Sequence, residues 1–165
     1  MKLKPQHKRI LINVAIVVAV LLSVAGIYFA AQAVLATSSP LVAVASGSMM
    51  PTLEVGDLII VQGVPPADVK IDDIIIFDAP QGSRTIHRVK EVRTLPNGTI
   101  QFKTKGDANP NADPYWIPEQ NVQGRLLHRI PYLGWLTLEP AITVILIAIV
   151  IIVIVVWPET RRKRP

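Results

Sequence analysis

The 165-residue sequence contains no cysteine and only three histidines. The absence of cysteine excludes a thiol nucleophile, a cysteine zinc site and a disulfide framework. The histidines, His7, His87 and His128, do not show the paired helical spacing of histidine metal sites, so no metal and no cofactor is expected. The chemistry of this chain therefore has to come from hydroxyl, imidazole and carboxylate side chains.

Charge is missing from two long stretches. Between Arg9 and Glu54 no side chain is charged, and residues 10–36 are apolar except for a few uncharged polar positions. A helix needs ~20 such residues to cross the hydrocarbon core of a bilayer. Residues 139–157 contain a second uncharged run, which is near the short end of that range. Both segments are predicted to be transmembrane helices, with the lipid bilayer as their surroundings.

The excess positive charge lies at the two ends of the chain. Basic residues cluster in the tails 1–9 and 158–165, whereas the middle carries slightly more acids than bases. No nucleic-acid partner is therefore expected, despite a pI of about 9.7. Because short cytoplasmic flanks carry the positive excess, both termini are predicted to be cytoplasmic. This describes a multi-pass protein of the cell membrane, with residues 37–138 forming an extracytoplasmic domain.

A cleaved secretory signal is the alternative interpretation of the N-terminal segment. A basic start, an apolar run and the sequence V-L-A at residues 34–36 imitate such a signal. The apolar stretch is, however, longer than the ~7–15 residues of a typical signal core. A membrane helix that is retained is therefore the favoured interpretation.

The middle of the chain is predicted to be mainly β. Short runs rich in β-branched residues are separated by turn residues, and P-N-G at residues 96–98 is a hairpin signal. No helical periodicity is found between the two apolar segments. The predicted fold is a small β-domain between two transmembrane helices. Its candidate strands are Leu41–Ala45, Asp57–Val61, Ile74–Phe77, Thr85–Val92, Thr99–Lys105 and Val122–Ile130.

Ser48, His87 and two aspartates are the candidate catalytic residues. A serine needs a base within hydrogen-bond reach to act as a nucleophile, and imidazole can take up a proton at neutral pH. A carboxylate that orients the imidazole improves such a base, and Asp107 and Asp113 are both candidates. Each residue also has an ordinary structural interpretation, since serine, glycine and aspartate are common in turns. Spacing alone does not show that these side chains meet.

Several separated motifs resemble type I signal peptidases of peptidase family S26. The run S-G-S-M-M-P-T-L at residues 46–53, followed by G-D at 56–57, is similar to the nucleophile motif of that family. Further similar motifs follow in the family's order, and they cover nearly the whole middle domain. They are I-H-R-V at residues 86–89, K-G-D-A-N at 105–109 with Asp113, N-V-Q-G-R at 121–125 and I-P-Y-L-G at 130–134.

The resemblance implies a role for each candidate residue. A histidine stands where common bacterial members have a lysine, which places the chain in the branch found in archaea, the endoplasmic reticulum and some Gram-positive bacteria. Ser48 would be the nucleophile, His87 the general base and Asp113 the carboxylate that orients it. Asp107 would be a second required acid. Ser46 would help the N–H of Ser48 to form the oxyanion hole.

The function implied is removal of signal peptides from secretory preproteins after small residues, by a membrane-bound serine endopeptidase. Subunits of a secretion complex are possible partners. One alternative is a non-catalytic, membrane-anchored β module, or an inactive relative within such a complex. Another is a self-cleaving Ser–Lys protease, for which Lys90 is the candidate base.

Overall fold

The computed structural model describes residues 5–138 and, beyond them, Ile145 and Ile147. The chain begins with helix α1, Pro5–Val34. Within it, Leu11–Val34 has a mean hydropathy of 2.6 and is long and apolar enough to cross a membrane. The predicted span at 10–36 therefore coincides with a helix that ends at Val34. The second predicted span, 139–157, lies outside the described residues except for the two isoleucines.

Residues Ala31–Leu138 form a compact unit built on one seven-stranded sheet. Every neighbouring pair of strands is antiparallel, and the order across the sheet is β1-β2-β7-β3-β4-β5-β6. The mainly β prediction is confirmed. The strands are β1 Leu41–Ala43, β2 Leu58–Gln62, β3 Ile74–Asp78, β4 Arg84–Thr94, β5 Ile100–Lys105, β6 Ile117–Pro118 and β7 Val122–Ile130.

All six predicted strands are present, but some of their bounds differ. Strand β1 ends at Ala43 rather than Ala45, because the chain turns there into the 3-10 turn Gly47–Met49. The two-residue strand β6 was not predicted, since it is too short for any alternation to show.

No helix was expected in this unit, and that prediction needs correction. The unit contains three short helical segments besides the turn at Ser48. They are the 3-10 turns Pro66–Asp68 and Glu119–Asn121 and the helix α2, Trp135–Leu138. Each is too short to show helical periodicity in the sequence.

The predicted hairpin turn connects β4 to β5. Gly98 has a φ of +86°, a conformation that glycine adopts at little cost. The side-chain oxygen of Asn97 accepts a hydrogen bond from the backbone N–H of Thr99 at 3.1 Å. This prediction is confirmed.

Strand β3 separates two apolar clusters because its side chains alternate between the two faces of the sheet. Ile75 and Phe77 pack into one cluster, and Ile74 and Ile76 pack into the other. The second cluster also contains Met49, which is fully buried. The core therefore anchors the loop that follows β1, and with it the adjacent Ser48.

Candidate active site

Ser48 lies in the 3-10 turn Gly47–Met49, at the start of the loop that connects β1 to β2. Met49 and Leu53 of this loop are each 1% exposed and fix it to the sheet. The loop 106–109 supports Ser48 from the other side, because the backbone N–H of Ala108 donates to the Ser48 carbonyl at 2.9 Å. A Cβ at Gly106 would lie 2.6 Å from that carbonyl, so only glycine permits this approach.

His87 lies on β4 with its ring almost completely buried. Its Nε2 is 3.2 Å from the Ser48 Oγ, within hydrogen-bond reach. The ring packs edge-on against Phe77, with centroids 6.3 Å apart. The imidazole thus has one nitrogen directed at the serine, while an apolar neighbour limits the movement of the ring.

Asp113 completes a chain of three side chains. Its Oδ2 accepts a hydrogen bond from His87 Nδ1 at 2.7 Å and another from the Thr104 hydroxyl at 2.5 Å. Its backbone N–H donates to the Thr104 carbonyl at 2.8 Å, which ties the aspartate to β5. With Nδ1 donating to Asp113, Nε2 is the nitrogen left to accept the proton of Ser48.

A groove of about 570 Å³ opens beside these residues. Residues 42–45 form part of its lining, and residues 83–87, mostly on β4, form another part. The lining is mostly small or apolar near Ser48, and it also includes Ser46 and Asn109. An extended peptide could therefore lie next to the serine without displacing any strand.

Asp107 belongs to a different cluster. Arg88 donates Nε–H to its Oδ1 at 2.8 Å and Nη2–H to its Oδ2 at 2.7 Å, and the Thr52 hydroxyl donates to Oδ2 at 2.6 Å. The hydrogen bonds from Arg88 lower the pKa of Asp107 to about 2, and the same contact raises the pKa of Arg88. Among the described residues, these contacts join Asp107 to Thr52, in the middle of the β1–β2 loop, and not to the side chains of Ser48 or His87.

The remaining candidates occupy distinct places. The Ser46 Oγ lies 3.4 Å from the Ser48 Oγ, so the two hydroxyls are neighbours. Lys90, the candidate base of a Ser–Lys site, instead pairs with Asp72 at 3.1 Å. His128 is exposed on β7. Within the described part of the chain, no group of three or more acidic or histidine side chains is arranged to hold a metal ion.

Comparison with known families agrees with this geometry. Residues 11–115, well over half of the chain, match the family model described as signal peptidase, peptidase S26. The chain belongs to the signal peptidase family. The matched region includes Ser48, His87, Asp107 and Asp113, and so takes in both side-chain clusters of the site.

Curated relatives carry corresponding names. The signal peptidase complex catalytic subunit SEC11C of Homo sapiens is 33% identical over 110 residues, which cover 62% of this chain and 57% of the relative. The signal peptidase complex catalytic subunit SEC11 of Schizophyllum commune is 30% identical over 125 residues, covering 62% of this chain and 65% of the relative. The chain thus spans between 57% and 65% of the length of these relatives.

Two groups in this candidate site were not predicted. Thr104 is fully buried and donates to Asp113, and Arg88 and Thr52 hold Asp107. A signal for Thr104 was present, because the alternation of β5 places it on the buried face that also holds Phe102. A polar residue at such a position requires a buried partner. No comparable pattern marked Thr52.

Asp57 is a further buried carboxylate behind the nucleophile loop. It is fully buried and accepts a hydrogen bond from the Glu54 N–H at 2.8 Å. Arg129 Nε lies 2.6 Å from Asp57 Oδ2 in an ion pair, although its N–H is not directed for a hydrogen bond. Arg129 also donates Nη1–H to the Thr52 carbonyl at 3.1 Å. Arg129, on β7, therefore attaches the second half of the β1–β2 loop to the sheet.

Proposed function

We propose that this chain is a membrane-bound serine endopeptidase that removes N-terminal signal peptides from secretory preproteins after small residues. One observation carries the proposal, namely the continuous chain from Ser48 through His87 to Asp113, with separations of 3.2 and 2.7 Å. A serine, a base and an orienting carboxylate in this order are the parts of a serine acyl-transfer site.

Each side chain then has a step in the reaction. His87 Nε2 takes the proton of Ser48 as Oγ attacks the scissile carbonyl, and the tetrahedral intermediate collapses to an acyl-enzyme. His87 returns the proton to the leaving amine, and a water molecule, activated by the same imidazole, releases the acyl group. Asp113 holds the ring and stabilises the imidazolium, while Thr104 fixes the carboxylate. Acid–base catalysis of this kind contributes roughly 10²–10⁴-fold to the rate.

The oxyanion would be held by the backbone N–H of Ser48 and by the Ser46 hydroxyl. The N–H of Ser48 lies in the first turn of a 3-10 segment, where backbone donors have no partner within the helix. The Ser46 hydroxyl is close enough to Ser48 to face the same substrate atom. One such donor is worth about 10²–10³-fold in rate.

Asp107 is proposed to act as a structural acid. It holds Arg88, the neighbour of His87 on β4, and Thr52, in the middle of the β1–β2 loop that carries Ser48. Its contribution to activity would then be indirect, through the positions of the two reacting side chains.

The substrate class follows from the family and from the groove. Small, apolar lining near Ser48 suits small side chains before the cut, as at the end of a signal peptide. A helix able to cross the membrane suits an enzyme whose substrates are themselves inserted there. The relatives are named as catalytic subunits of a signal peptidase complex, which supports partner subunits for this chain as well.

The proposed topology has two transmembrane helices, at 10–36 and 139–157. Basic tails at both ends support cytoplasmic termini, with residues 37–138 on the outer side of the membrane. In this arrangement the active site faces the compartment into which preproteins are exported.

The test is cleavage of a secretory precursor by the full chain in lipid or detergent. We expect Ser48→Ala and His87→Ala each to lower the rate by about 10³-fold or more, with the thermal unfolding of the domain little changed. Ser38→Ala, at an exposed serine outside the groove, is the matched control and should retain full activity. Undiminished cleavage by Ser48→Ala would show that another group is the nucleophile. A folded wild-type chain that cleaves nothing would favour the non-catalytic module.

A further inference from the structure

The groove beside Ser48 has a basic residue away from its reactive end. Arg84 and His87 both line the groove and lie three residues apart on β4. A strand rises about 3.3 Å per residue, so the backbone of Arg84 lies about 10 Å along β4 from that of His87. An extended peptide covers the same distance in about three residues.

The protein holds the Arg84 side chain in place but does not occupy all of its hydrogen-bond donors. Its Nη1 donates to the Ser39 hydroxyl at 3.0 Å, and its Nε lies 3.6 Å from Asp78 Oδ1. The side chain is 46% exposed. Among the described residues, Nη2 has no hydrogen-bond partner. The guanidinium is therefore positioned by the protein and retains a donor for a ligand.

The counter-ion of Arg84, Asp78, lies outside the groove. Apart from His87, it is the only ionisable side chain among the described residues that line the groove, and no carboxylate is among them. Asp78 is not part of the lining, and its Oδ2 accepts a hydrogen bond from Gln123 at 2.7 Å. A substrate side chain entering here meets a cation first.

We propose that Arg84 is a specificity-determining residue that favours an acidic or carbonyl-bearing side chain, and disfavours a basic one, at about the fourth residue before the cut. This inference rests on the proposed function, because the small, apolar lining near Ser48 is assigned to the residues immediately before the cut. With the first of them beside Ser48, three further residues of extended peptide reach Arg84.

The experiment uses the full chain in detergent and three synthetic signal-peptide substrates that differ only at the fourth residue before the cut. That residue is glutamate, glutamine or lysine. The wild type should show a kcat/KM for the glutamate peptide about three- to tenfold above that for the lysine peptide, the range expected for an exposed ion pair and its reversal. The preference should weaken in 0.5 M salt because exposed charges are screened.

Charge variants distinguish an effect of the Arg84 guanidinium from an effect of the overall charge of the protein. Arg84→Gln should remove the preference, Arg84→Glu should reverse it and Arg84→Lys should keep most of it. Lys90→Gln removes an equal charge outside the groove, and it should leave both the activity and the preference as in the wild type. The same three residues placed at the fifth position after the cut should give equal rates.

The outcomes separate the two proposals. Absence of cleavage for every peptide refutes the proposed function and this inference together. Cleavage of the glutamate and lysine peptides with equal kcat/KM by the wild type refutes the inference alone, even if the Arg84 variants do not fold. A preference that persists in Arg84→Gln also overturns it.

Discussion

Replacing Asp107 with asparagine tests whether this carboxylate acts in the chemistry or in the fold. The substitution keeps the size of the side chain but removes its charge, which leaves Arg88 without its counter-ion. Asp107 contacts Arg88 and Thr52 but neither of the reacting side chains, so the main effect should be on stability. We therefore expect the variant to unfold at a lower temperature and still to cleave precursor.

The magnitude follows from the ion pair. Asp107 has a pKa of about 2, and the difference from the ~3.9 of an unfolded aspartate corresponds to roughly 2.5 kcal/mol. The Arg88 and Asp107 side chains are 22% and 15% exposed, so solvent screens part of this. A loss of about 2 kcal/mol is expected, which lowers the unfolding temperature by about 5–10 °C for a domain of this size.

The same pair predicts a pH dependence. Because the pKa of Asp107 is lower in the folded chain than in the unfolded one, its stabilisation is fully present above about pH 5. It is lost as the pH falls through about 4 towards 2. The difference in stability between wild type and Asp107→Asn should therefore shrink over this range. Thermal unfolding in detergent, followed by tryptophan fluorescence between pH 2.5 and 7, measures it.

Asp113→Asn provides the contrast within the same loop. It removes the carboxylate that fixes the tautomer of His87, and a loss of about 10⁴-fold in kcat is expected. If Asp107→Asn were to lose cleavage to the same extent while unfolding at the wild-type temperature, Asp107 would have to act in the reaction. A stability difference that does not change with pH would contradict the ion-pair explanation.

Two further predictions concern the buried hydroxyl and the topology. Thr104→Val should lower kcat by about tenfold, since Asp113 loses a fixed hydrogen bond, while Thr104→Ser should remain close to the wild type in the precursor assay. Asn97 begins the glycosylation sequence N-G-T at an exposed hairpin tip, so translation into microsomes should add a glycan if this domain is lumenal. Asn97→Gln should abolish the mass shift, and an unmodified wild type would contradict the proposed orientation.

The longer strands could be predicted because the pattern of apolar and polar side chains that marks each of them lies within the strand itself. Residues 74–77 of β3 are an unbroken apolar run, and β5 alternates, so each shows its burial in its own few residues. Strand β6 and the 3-10 turns depend on contacts with distant segments, which no local pattern contains. The residues around Ser48 indicated a turn, but the sequence did not show that Met49 anchors this turn. That contact is seen only in the packed core.

Spacing alone could predict the members of the site but not their connections, and only the family resemblance assigned Asp113 to His87. Spacing offered two aspartates, Asp107 and Asp113, for one histidine. The choice between them depends on the register of β4 against β5, which pairs Val89 with Thr104 and brings Asp113 to the same edge. A register of this kind is a long-range property, and a shift of one residue would turn every side chain to the opposite face.

Asp107 and Asp113 have different partners because of the geometry of β4. His87 and Arg88 are adjacent, so their side chains point to opposite faces of the strand. The His87 ring contacts Ser48 and Asp113. Arg88 instead contacts Asp107 and Thr52, in the middle of the β1–β2 loop. The loop 106–116 between β5 and β6 thus supplies one carboxylate to each face. Substitution of Asp113 should therefore lower kcat, whereas substitution of Asp107 should lower the stability of the folded domain.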